Sequence, residues 1–499
     1  MQQPKLYGWL LVVGCVLCGA VTAAQAATPL AIGHRRELFV DRYLVERLEG
    51  ARLELHEPRD EGVVLRFEQP WEGPFCAYCT VIHDGERYRL YYRGKMKTSS
   101  DGTDEVTCYA ESTDGKQWQK PKLDIVEVDG SKANNVILSE PSTTHNFSPL
   151  LDTRPGTPAD QRFKALGGTM IRNGKPGLVA FVSADGIHWR RLAEDPVLVQ
   201  GALDSQNVAF WSELEQCYVC YLRTFVAGVA TSTEWKPTGY RSISRTTSPD
   251  FVHWGKIEPM QFTPPQQEHL YTNQTHPYFR APHIYLSLAA RFMAGRQVIS
   301  AEEAQAIHVN PSYFKDTSDA ILQTSRGGNQ YERTFLSALV RPGIGPQNWV
   351  SRSNYPALNI VQTGPAEMSF YVNQDYAQPT SHLRRYSMRL DGLASVRAPY
   401  EGGELITGPI AFDGDRLQLN FATSAAGGIR VEIQDEAGKP ISGYTLADAV
   451  ELIGNEIERS VRWQKGPSVA PLAGRTVRLR IAMKDADLYA LQFVASSAK

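Results

Sequence analysis

Four short segments of this chain are copies of one unit, and their spacing constrains the fold more than any other feature. They are residues 112–118, 183–189, 248–254 and, in degraded form, 325–331, and the first three follow the pattern Ser-x-Asp-x-x-x-Trp. Their first serines stand 71, 65 and 77 residues apart. This period is too long for a helical solenoid and suits a four-stranded β-propeller blade with long loops. The repeats therefore predict an all-β chain built around a propeller.

The acidic residues of the repeats are expected to serve folding. An Asp side chain caps the backbone N–H groups of a turn, the Gly after it tolerates positive φ, and the Trp packs between neighbouring sheets. Asp114, Asp185 and Asp250 should thus lie away from any reaction centre.

Turn signals and short β-type runs divide residues 34–398 into five blades, with the segment 34–58 expected to supply a strand that closes the last blade. From residue 399 to residue 499, apolar and polar residues alternate, which indicates half-buried antiparallel strands. The predicted fold is a five-bladed β-propeller followed by a C-terminal β-sandwich. The clearest helix signal is a capping box at residues 300–307.

Residues 1–26 have the features of an export signal: a positive charge at Lys5, an apolar run from Leu6 and a small-x-small cleavage site ending at Ala26. A secreted or periplasmic protein without a membrane span after signal removal is expected. Lipoprotein anchoring through Cys15 stays open as an alternative.

Charge and cysteine spacing exclude several classes of function. A net charge of −2 favours neither nucleic acid nor an anionic membrane surface. The pairs Cys76/Cys79 and Cys217/Cys220 have zinc-like spacing, but residues three apart on a strand point to opposite faces. We therefore predict buried cysteines, no metal site and no cofactor, with a central ion of the kind that some propellers carry left open.

Two segments carry a resemblance to a known superfamily. Residues 248–254 and the hairpin 83–92 resemble the five-bladed propeller glycoside hydrolases, the superfamily of invertases, fructanases and arabinanases. Residues 383–396 look typical of secreted bacterial propeller-plus-sandwich proteins of a glycosidase-like kind. The resemblance implies a carbohydrate substrate and carboxyl groups at the starts of the innermost strands, facing a central funnel.

Carried over residue by residue, the resemblance gives four candidate catalytic carboxylates. Asp152 in blade two looks like the family's transition-state-stabilising Asp, and Asp204 in blade three occupies the place of its general-acid Glu. Blade one lacks the expected nucleophile, and the nearest carboxylate is Glu72. Glu367, which follows a Gly and a Pro, is expected to start the inner strand of blade five and to point into the funnel, and it is the fourth candidate. A turn-forming role for Asp152 and a surface-loop role for Glu72 remain equally open.

The candidate substrate-binding residues are side chains with aromatic faces or hydrogen-bonding groups near the same strand starts. They are Trp71, Asn207, His276, Tyr278, Arg223 and Asp41. Structural roles are the alternative for His276 and Arg223.

Three functions stay open on sequence alone. The first is a glycoside hydrolase that uses funnel carboxylates, and the second is a non-catalytic carbohydrate-binding propeller, which the missing blade-one acid favours. The third is an extracellular interaction module. The number of carboxyl groups that meet in the funnel discriminates between the first two.

Overall fold

The computed structural model describes residues 28–95, 104–140, 142–169, 177–231 and 234–495. The predicted export signal and Cys15 lie outside these residues. Strands dominate the described part, which confirms the all-β prediction. Its α-helix, Ala301–Ala306, begins at the predicted capping box on Ser300. Short 3-10 helices lie at Thr144–Asn146, Ala159–Gln161, Pro346–Asn348 and Ala470–Leu472.

Five separate sheets, numbered 1 to 5 along the chain, occupy the predicted blade region, and most of their strand pairs are antiparallel. Sheet 1 contains Ala77–His83, Tyr88–Lys95, Glu105–Ser112 and Val136–Leu138. Sheet 2 contains Ser148–Leu151, Phe163–Gly167, Val179–Ser183 and Arg190–Arg191. Sheet 3 contains Val208–Ser212, Cys217–Ala230, Trp235–Ser248 and Glu258–Pro259. Sheet 4 contains Gln261–Thr263, His269–Thr272, Thr275–Tyr278, Ala281–Met293, Thr317–Ser325, Gln330–Glu332 and Ala338–Val340. Sheet 5 contains Arg59–Arg66, Tyr355–Pro356, Val361–Gln362, Glu367–Gln374 and His382–Arg389.

The inner strands of the five sheets contact one another in cyclic order. Ala77–His83 contacts Ser148–Leu151, which contacts Val208–Ser212, which in turn contacts Thr275–Tyr278. Tyr355–Pro356 contacts sheet 4, and Val361–Gln362 returns to sheet 1. A parallel bridge between Thr80 and Leu358 reinforces that last junction.

A strand from before sheet 1 completes sheet 5, but not the strand expected. Arg59–Arg66 pairs antiparallel with His382–Arg389. The prediction that residues 34–58 supply this strand is wrong, because the strands of that segment pair with C-terminal strands instead.

The C-terminal region and the N-terminal strands form a ten-stranded sheet. Its strands are Leu30–Gly33, Arg36–Leu38, Val45–Glu49, Arg52–Leu55, Ala394–Ala398, Gly403–Thr407, Ile410–Phe412, Arg416–Gln434, Asn455–Ser460 and Thr476–Val494. The two longest strands pair with each other along most of their length. Their inward residues bury one apolar core in which Phe412 stacks on Phe493 and the Trp463 indole N–H donates to the Val431 carbonyl.

The repeats are turn caps, as predicted. After the third strand of sheet 3, one carboxylate oxygen of Asp250 accepts hydrogen bonds from the backbone N–H groups of Val252 (2.9 Å) and His253 (2.8 Å). The Ser248 hydroxyl donates to the same oxygen. Asp114 and Asp185 make the same set of bonds after the third strands of sheets 1 and 2. The motif therefore closes the turn after the third strand in each of sheets 1, 2 and 3.

The cysteines are free and mostly buried, but the geometric reason given for excluding zinc is wrong for one pair. Tyr78 has a φ of +56° and interrupts the strand alternation, so Cys76 and Cys79 both contact the same apolar core. Among the described residues, no group of three or more His, Cys, Asp or Glu side chains is arranged so that it could hold a metal ion. None of the helices in the described ranges has the length and apolar character needed to cross a membrane.

Candidate functional site

The segments that enter the inner strands meet at one end of the five sheets, and their polar side chains form a single group. We call it the strand-start cluster. It consists of Tyr78, Arg93, Glu105, His145, Asp204, Arg223, Arg241, Tyr271, Arg352 and Tyr355. All five sheets contribute, either directly or through the loop that precedes them. The Tyr271 and Tyr355 rings, from sheets 4 and 5, lie 5.3 Å apart, and the Tyr78 and His145 rings lie 5.7 Å apart.

His145 joins two carboxylates at the centre of the cluster. Its Nδ1–H donates to Glu105 Oε2 at 2.9 Å, and its Nε2–H donates to Asp204 Oδ1 at 2.6 Å. The 3-10 turn Thr144–Asn146 holds the imidazole in place, because the Asn146 amide donates to the carbonyls of Leu203 and Ser205 beside Asp204. Sheets 1, 2 and 3 are thereby connected through one hydrogen-bonded chain.

The opposite charges of Glu105, His145 and Asp204 stabilise one another. Burial opposes ionisation of Asp204, but His145, Arg223 and Arg352 outweigh it and hold the pKa of that carboxyl far below its usual range. Burial likewise opposes ionisation of Glu105, yet His145, Arg93 and Lys95 lower its pKa strongly. The pKa of His145 is raised despite burial because the two carboxylates favour the imidazolium. The three groups therefore favour two ionised acids around a protonated histidine.

The two carboxylates differ in their access to solvent. The side chain of Asp204 is 51% exposed, whereas that of Glu105 is 1% exposed and also accepts a hydrogen bond from Lys95. Asp204 is thus the carboxylate of the pair that a ligand can reach, and Glu105 supports it from behind the imidazole.

Aromatic rings and guanidinium groups surround Asp204. Arg223 lies 5.2 Å and Arg352 5.3 Å from the centre of the Tyr271 ring. Arg93 lies 4.8 Å above the Tyr78 ring. Tyr271 is only 5% exposed and Tyr78 is half-buried, so the rings form packed walls around the carboxylate.

Two residues of the cluster adopt strained backbone conformations. Tyr78 and Arg352 have φ values of +56° and +60°, in the left-handed region that non-glycine residues avoid. At Tyr78 this conformation forms the bulge that breaks the strand register between Ala77 and Thr80. Bulges of this type re-aim side chains, and strain of this type concentrates at functional sites.

Of the ten residues singled out from the sequence, the structure brings Asp204 and Arg223 into the cluster. The Arg223 Nε–H donates to the Ala202 carbonyl and its guanidinium remains within the electrostatic reach of Asp204. Asn207 lies directly behind them. Its amide donates to the carbonyls of Leu203 and Ser205, so it shapes the loop that carries Asp204.

Glu72 and Trp71 lie near the correct end of sheet 1 but are turned into its core. The buried Glu72 carboxylate accepts hydrogen bonds from Lys120 (2.7 Å) and the Tyr92 hydroxyl. The Trp71 indole N–H donates to Asn135. Both residues therefore anchor a loop, and neither presents a group to the cluster.

Asp152 and Glu367 lie at the opposite end of the sheets. Asp152 follows the end of Ser148–Leu151 and contacts Lys164 (2.8 Å) and Tyr218 (2.7 Å). Glu367 begins the second main strand of sheet 5, not its inner strand, and contacts Lys116 and Arg385. Because neighbouring strands are antiparallel, a second strand begins where the first one ends.

The remaining predicted binding residues also have structural partners. His276 donates from Nδ1 to the Gln274 carbonyl and accepts the Ile360 N–H at Nε2, and burial lowers its pKa to about 4. Tyr278 donates its hydroxyl to Asp391. Asp41 pairs with Arg326, which lies in the degraded fourth repeat at the end of the Thr317–Ser325 strand of sheet 4.

Sequence reasoning missed most of the cluster. Glu105 begins the third strand of sheet 1 after Asp104, and His145 lies in the 3-10 turn Thr144–Asn146, before the first strand of sheet 2. Arg93, Arg241 and Arg352 lie in strand or loop segments with no motif. Strand parity was the available signal, since first and third strands of an antiparallel sheet begin at the same end.

A cavity of about 800 Å³ lies at the other end of the inner strands. Its lining combines apolar side chains, such as Ile82 and Trp211, with the polar side chains of His83, Glu213 and His276. The carboxylate of Asp114 at its rim is occupied in capping its own turn. The imidazole that joins two carboxylates through hydrogen bonds lies in the strand-start cluster, so we take the cluster as the candidate active site.

Comparison with known proteins gives structural neighbours only. No family model and no curated protein sequence matches the chain. The structural neighbours are glycoside hydrolases and related enzymes. They include a glycoside hydrolase (10% identity, 67% of this chain and 92% of the other, TM-score 0.44) and an α-L-arabinofuranosidase from Fusarium graminearum (11%, 68% and 99%, TM-score 0.40). An N-acetylgalactosamine deacetylase from F. plautii, solved with blood group B trisaccharide, is similar at 12% identity (68% and 96%, TM-score 0.42). With TM-scores below 0.5, this likeness assigns no activity or substrate to the chain.

Proposed function

We propose that this protein is a glycoside-hydrolase-like enzyme that binds a carbohydrate at the strand-start cluster. In this proposal the five sheets are the blades of a five-bladed β-propeller, and the ten-stranded sheet folds into a β-sandwich beside it. The cyclic contacts between inner strands support the propeller, since each sheet then covers the edge of the next.

One observation carries the proposal: a half-exposed carboxylate, Asp204, is hydrogen-bonded to an imidazolium that a buried carboxylate stabilises. Cleavage of a glycosidic bond needs a group that protonates the leaving oxygen and a group that attacks the anomeric carbon or activates water. Asp204 faces the ligand as the ionised carboxylate that attacks the anomeric carbon or accepts a proton from the attacking water, and the His145 imidazolium beside it holds the proton that passes to the leaving oxygen. Glu105 does not touch the ligand and acts as a positioning residue that keeps the imidazole charged and oriented.

Aromatic rings form the walls around Asp204, and among them Tyr78 is half-buried while Tyr271 and Tyr355 are buried. Tyr78, Tyr271 and Tyr355 lie around the carboxylate, and burial raises the pKa of Tyr78 and Tyr355 so that both phenols stay neutral hydrogen-bond donors. Neutral hydroxyl groups on flat rings match the alternating apolar faces and hydroxyls of a sugar.

A non-catalytic carbohydrate-binding protein is the second candidate, and a specific observation favours it. The two-carboxylate mechanism needs both acids beside the scissile bond. At the cluster, Asp204 is accessible, whereas Glu105 lies behind His145 with 1% of its side chain exposed.

Replacing Asp204 by Asn tests the proposal. The matched control is Asp160→Asn, an exposed carboxylate on the 3-10 turn Ala159–Gln161 that pairs with Arg190. In a reducing-sugar assay across a panel of oligosaccharides, we expect D204N to lose about 100-fold or more of the activity, as loss of acid–base catalysis does, and D160N to keep it. Wild-type rates in D204N would remove Asp204 from the mechanism. Binding of a glycan without sugar release by the wild type would establish the second candidate.

A further inference from the structure

The strand-start cluster contains more cationic than anionic groups. Four arginines, Arg93, Arg223, Arg241 and Arg352, approach it from sheets 1 and 3 and from the loop before sheet 5. None of them has a carboxylate within 4.0 Å among the residues that the structure describes. Elsewhere in the same sheets, Arg326 pairs with both Glu37 and Asp41, and Arg385 pairs with both Glu61 and Glu367. The cluster arginines therefore lack the partners that other buried arginines of this protein have.

Aromatic rings take the place of those partners. Arg241 lies 5.5 Å from the centre of the Phe225 ring, 5.2 Å from Tyr271 and 5.3 Å from Phe292. Arg352 lies 5.3 Å from the centre of the same Tyr271 ring. A ring face stabilises a guanidinium by only about 0.5–2 kcal/mol and leaves its N–H edge free. The guanidinium groups of Arg241 and Arg352 thus both lie against the Tyr271 ring, and Arg352 spends one donor on the Tyr313 hydroxyl at 3.3 Å.

The arginines also repel one another. The Nε of Arg241 is buried without a hydrogen-bond partner in the described part of the chain. Burial together with the charges of Arg223 and Arg352 lowers the pKa of Arg241, which is the direction expected for a positive charge that lacks compensation. Holding the charge of Arg241 beside two other guanidinium groups is costly in the absence of ligand, and a ligand of opposite charge recovers that cost.

We propose that the strand-start cluster takes a carbohydrate that carries an anionic substituent, a carboxylate or a sulfate, held by Arg241 and Arg352 above the Tyr271 ring. A planar guanidinium fork matches the oxygens of either group in bidentate fashion. The inference rests on the proposed function only in taking a carbohydrate as the ligand. Asp204 opposes an anion, but its charge is already shared with His145, and the four guanidinium groups outnumber the two carboxylates.

The test is a binding comparison with three oligosaccharides of equal length: one built of uronate units, one sulfated and one neutral. Isothermal titration calorimetry at low and high salt should show at least one of the anionic ligands binding tenfold or more tightly than the neutral one. The preference should weaken with salt, because part of the cluster is solvent-exposed. Whichever anionic ligand is preferred identifies the substituent as carboxylate or sulfate.

Variants of two cluster arginines test whether the preference for an anionic ligand arises at the cluster. Arg241→Gln and Arg352→Gln should each abolish most of the preference, while Arg241→Lys, which keeps the charge but not the fork, should retain part of it. The control is Arg47→Gln, which removes the same charge from a side chain that is 58% exposed in the ten-stranded sheet. Equal affinity for neutral and anionic ligands, or an equal loss in R47Q and R241Q, would overturn the inference.

Failure of hydrolysis gives a different result. If the wild type prefers an anionic ligand and releases no reducing sugar, the anion site stands and the hydrolase proposal falls. Thermal unfolding of R241Q and R352Q, compared with R47Q, shows whether any loss of binding comes from loss of the fold. A neutral-sugar preference with active hydrolysis leaves the enzyme and removes the anion site.

Discussion

Glu105 is predicted to contribute more to the stability of this protein than any exposed carboxylate in its sheet. The Glu105 side chain is only 1% exposed. Replacing Glu105 by Gln removes its negative charge, while the ammonium of Lys95 and the imidazole of His145 stay in place. Removing one partner of a buried ion pair costs about 3–5 kcal/mol, because the other charge is left buried and uncompensated. The Gln amide oxygen still accepts one hydrogen bond, so we expect a loss near the lower end, about 3 kcal/mol.

The same strand provides the matched control. Glu111 pairs with Arg87 at the far end of Glu105–Ser112, and their side chains are 28% and 44% exposed. An exposed pair of this kind is worth about 0–1 kcal/mol. Urea unfolding of E105Q and E111Q, followed by tryptophan fluorescence and compared at constant m value, measures both losses.

The difference should depend on pH in a defined direction. The pKa of His145 is raised in the folded protein, so its contribution is complete below the unfolded value and is lost as the pH rises through the folded value. The pKa of Glu105 is lowered, so its contribution is present above its unfolded value and is lost as the pH falls. The gap between wild type and E105Q should therefore be larger at pH 6 than at pH 9. Equal losses in E105Q and E111Q, or a gap that widens toward pH 9, would refute the reasoning.

Two further predictions concern the scaffold. Asp250→Ala and Asp185→Ala should each lower the free energy of unfolding by about 1 kcal/mol, because each removes a cap on two backbone N–H groups. The double variant should lose the sum of the two, since the turns are in different sheets. Thermal or urea unfolding measures these losses, and a single-variant loss below about 0.3 kcal/mol would contradict the prediction. Arg326→Met should cost about 3–5 kcal/mol at neutral pH by leaving the buried Glu37 and Asp41 without Arg326. Because Arg326 helps to lower the pKa of Glu37, the loss should shrink as acid protonates Glu37, and a pH-independent loss would point to packing instead.

The repeat turns were predictable because their physics is local. Ser248, Asp250 and the two N–H groups that Asp250 caps lie within six residues, so composition and spacing alone determine the geometry. The closing strand was not predictable in the same way. Residues 34–58 and 59–66 are both strand-forming, and only long-range pairing with the C-terminal strands or with His382–Arg389 decides which segment completes sheet 5.

The degraded fourth repeat shows how a long-range contact replaces a local one. Arg326 occupies the first variable position of the repeat, directly after Ser325. Its guanidinium binds Glu37 and Asp41 of the N-terminal segment. The turn that lost its Asp has gained an ion pair that fastens the N-terminal segment to sheet 4. The sequence showed the loss of the motif, but nothing within the repeat indicated the new partner.

Strand parity explains why only one of the four predicted carboxylates reaches the cluster. In an antiparallel sheet, the starts of first and third strands and the ends of second strands lie at one end, and all other strand ends lie at the opposite end. Asp204 precedes a first strand and Glu105 starts a third strand, so both arrive at the same place. Asp152 follows a first strand and Glu367 starts a second one, so both lie at the far end whatever their local sequence suggests.

Strand parity is necessary for a side chain to reach the strand-start cluster, but sheet 1 demonstrates that parity alone is not sufficient. Glu72 precedes a first strand at the correct end, yet Lys120 and Tyr92 draw its carboxylate into the sheet core. The group that the sheet presents to the cluster instead is the Tyr78 ring, and it does so only because the backbone there adopts a φ of +56°. Such a conformation costs free energy that packing must offset, so a bulge that aims a ring toward Arg93 and His145 is a stronger sign of a ligand site than the carboxylate six residues before it.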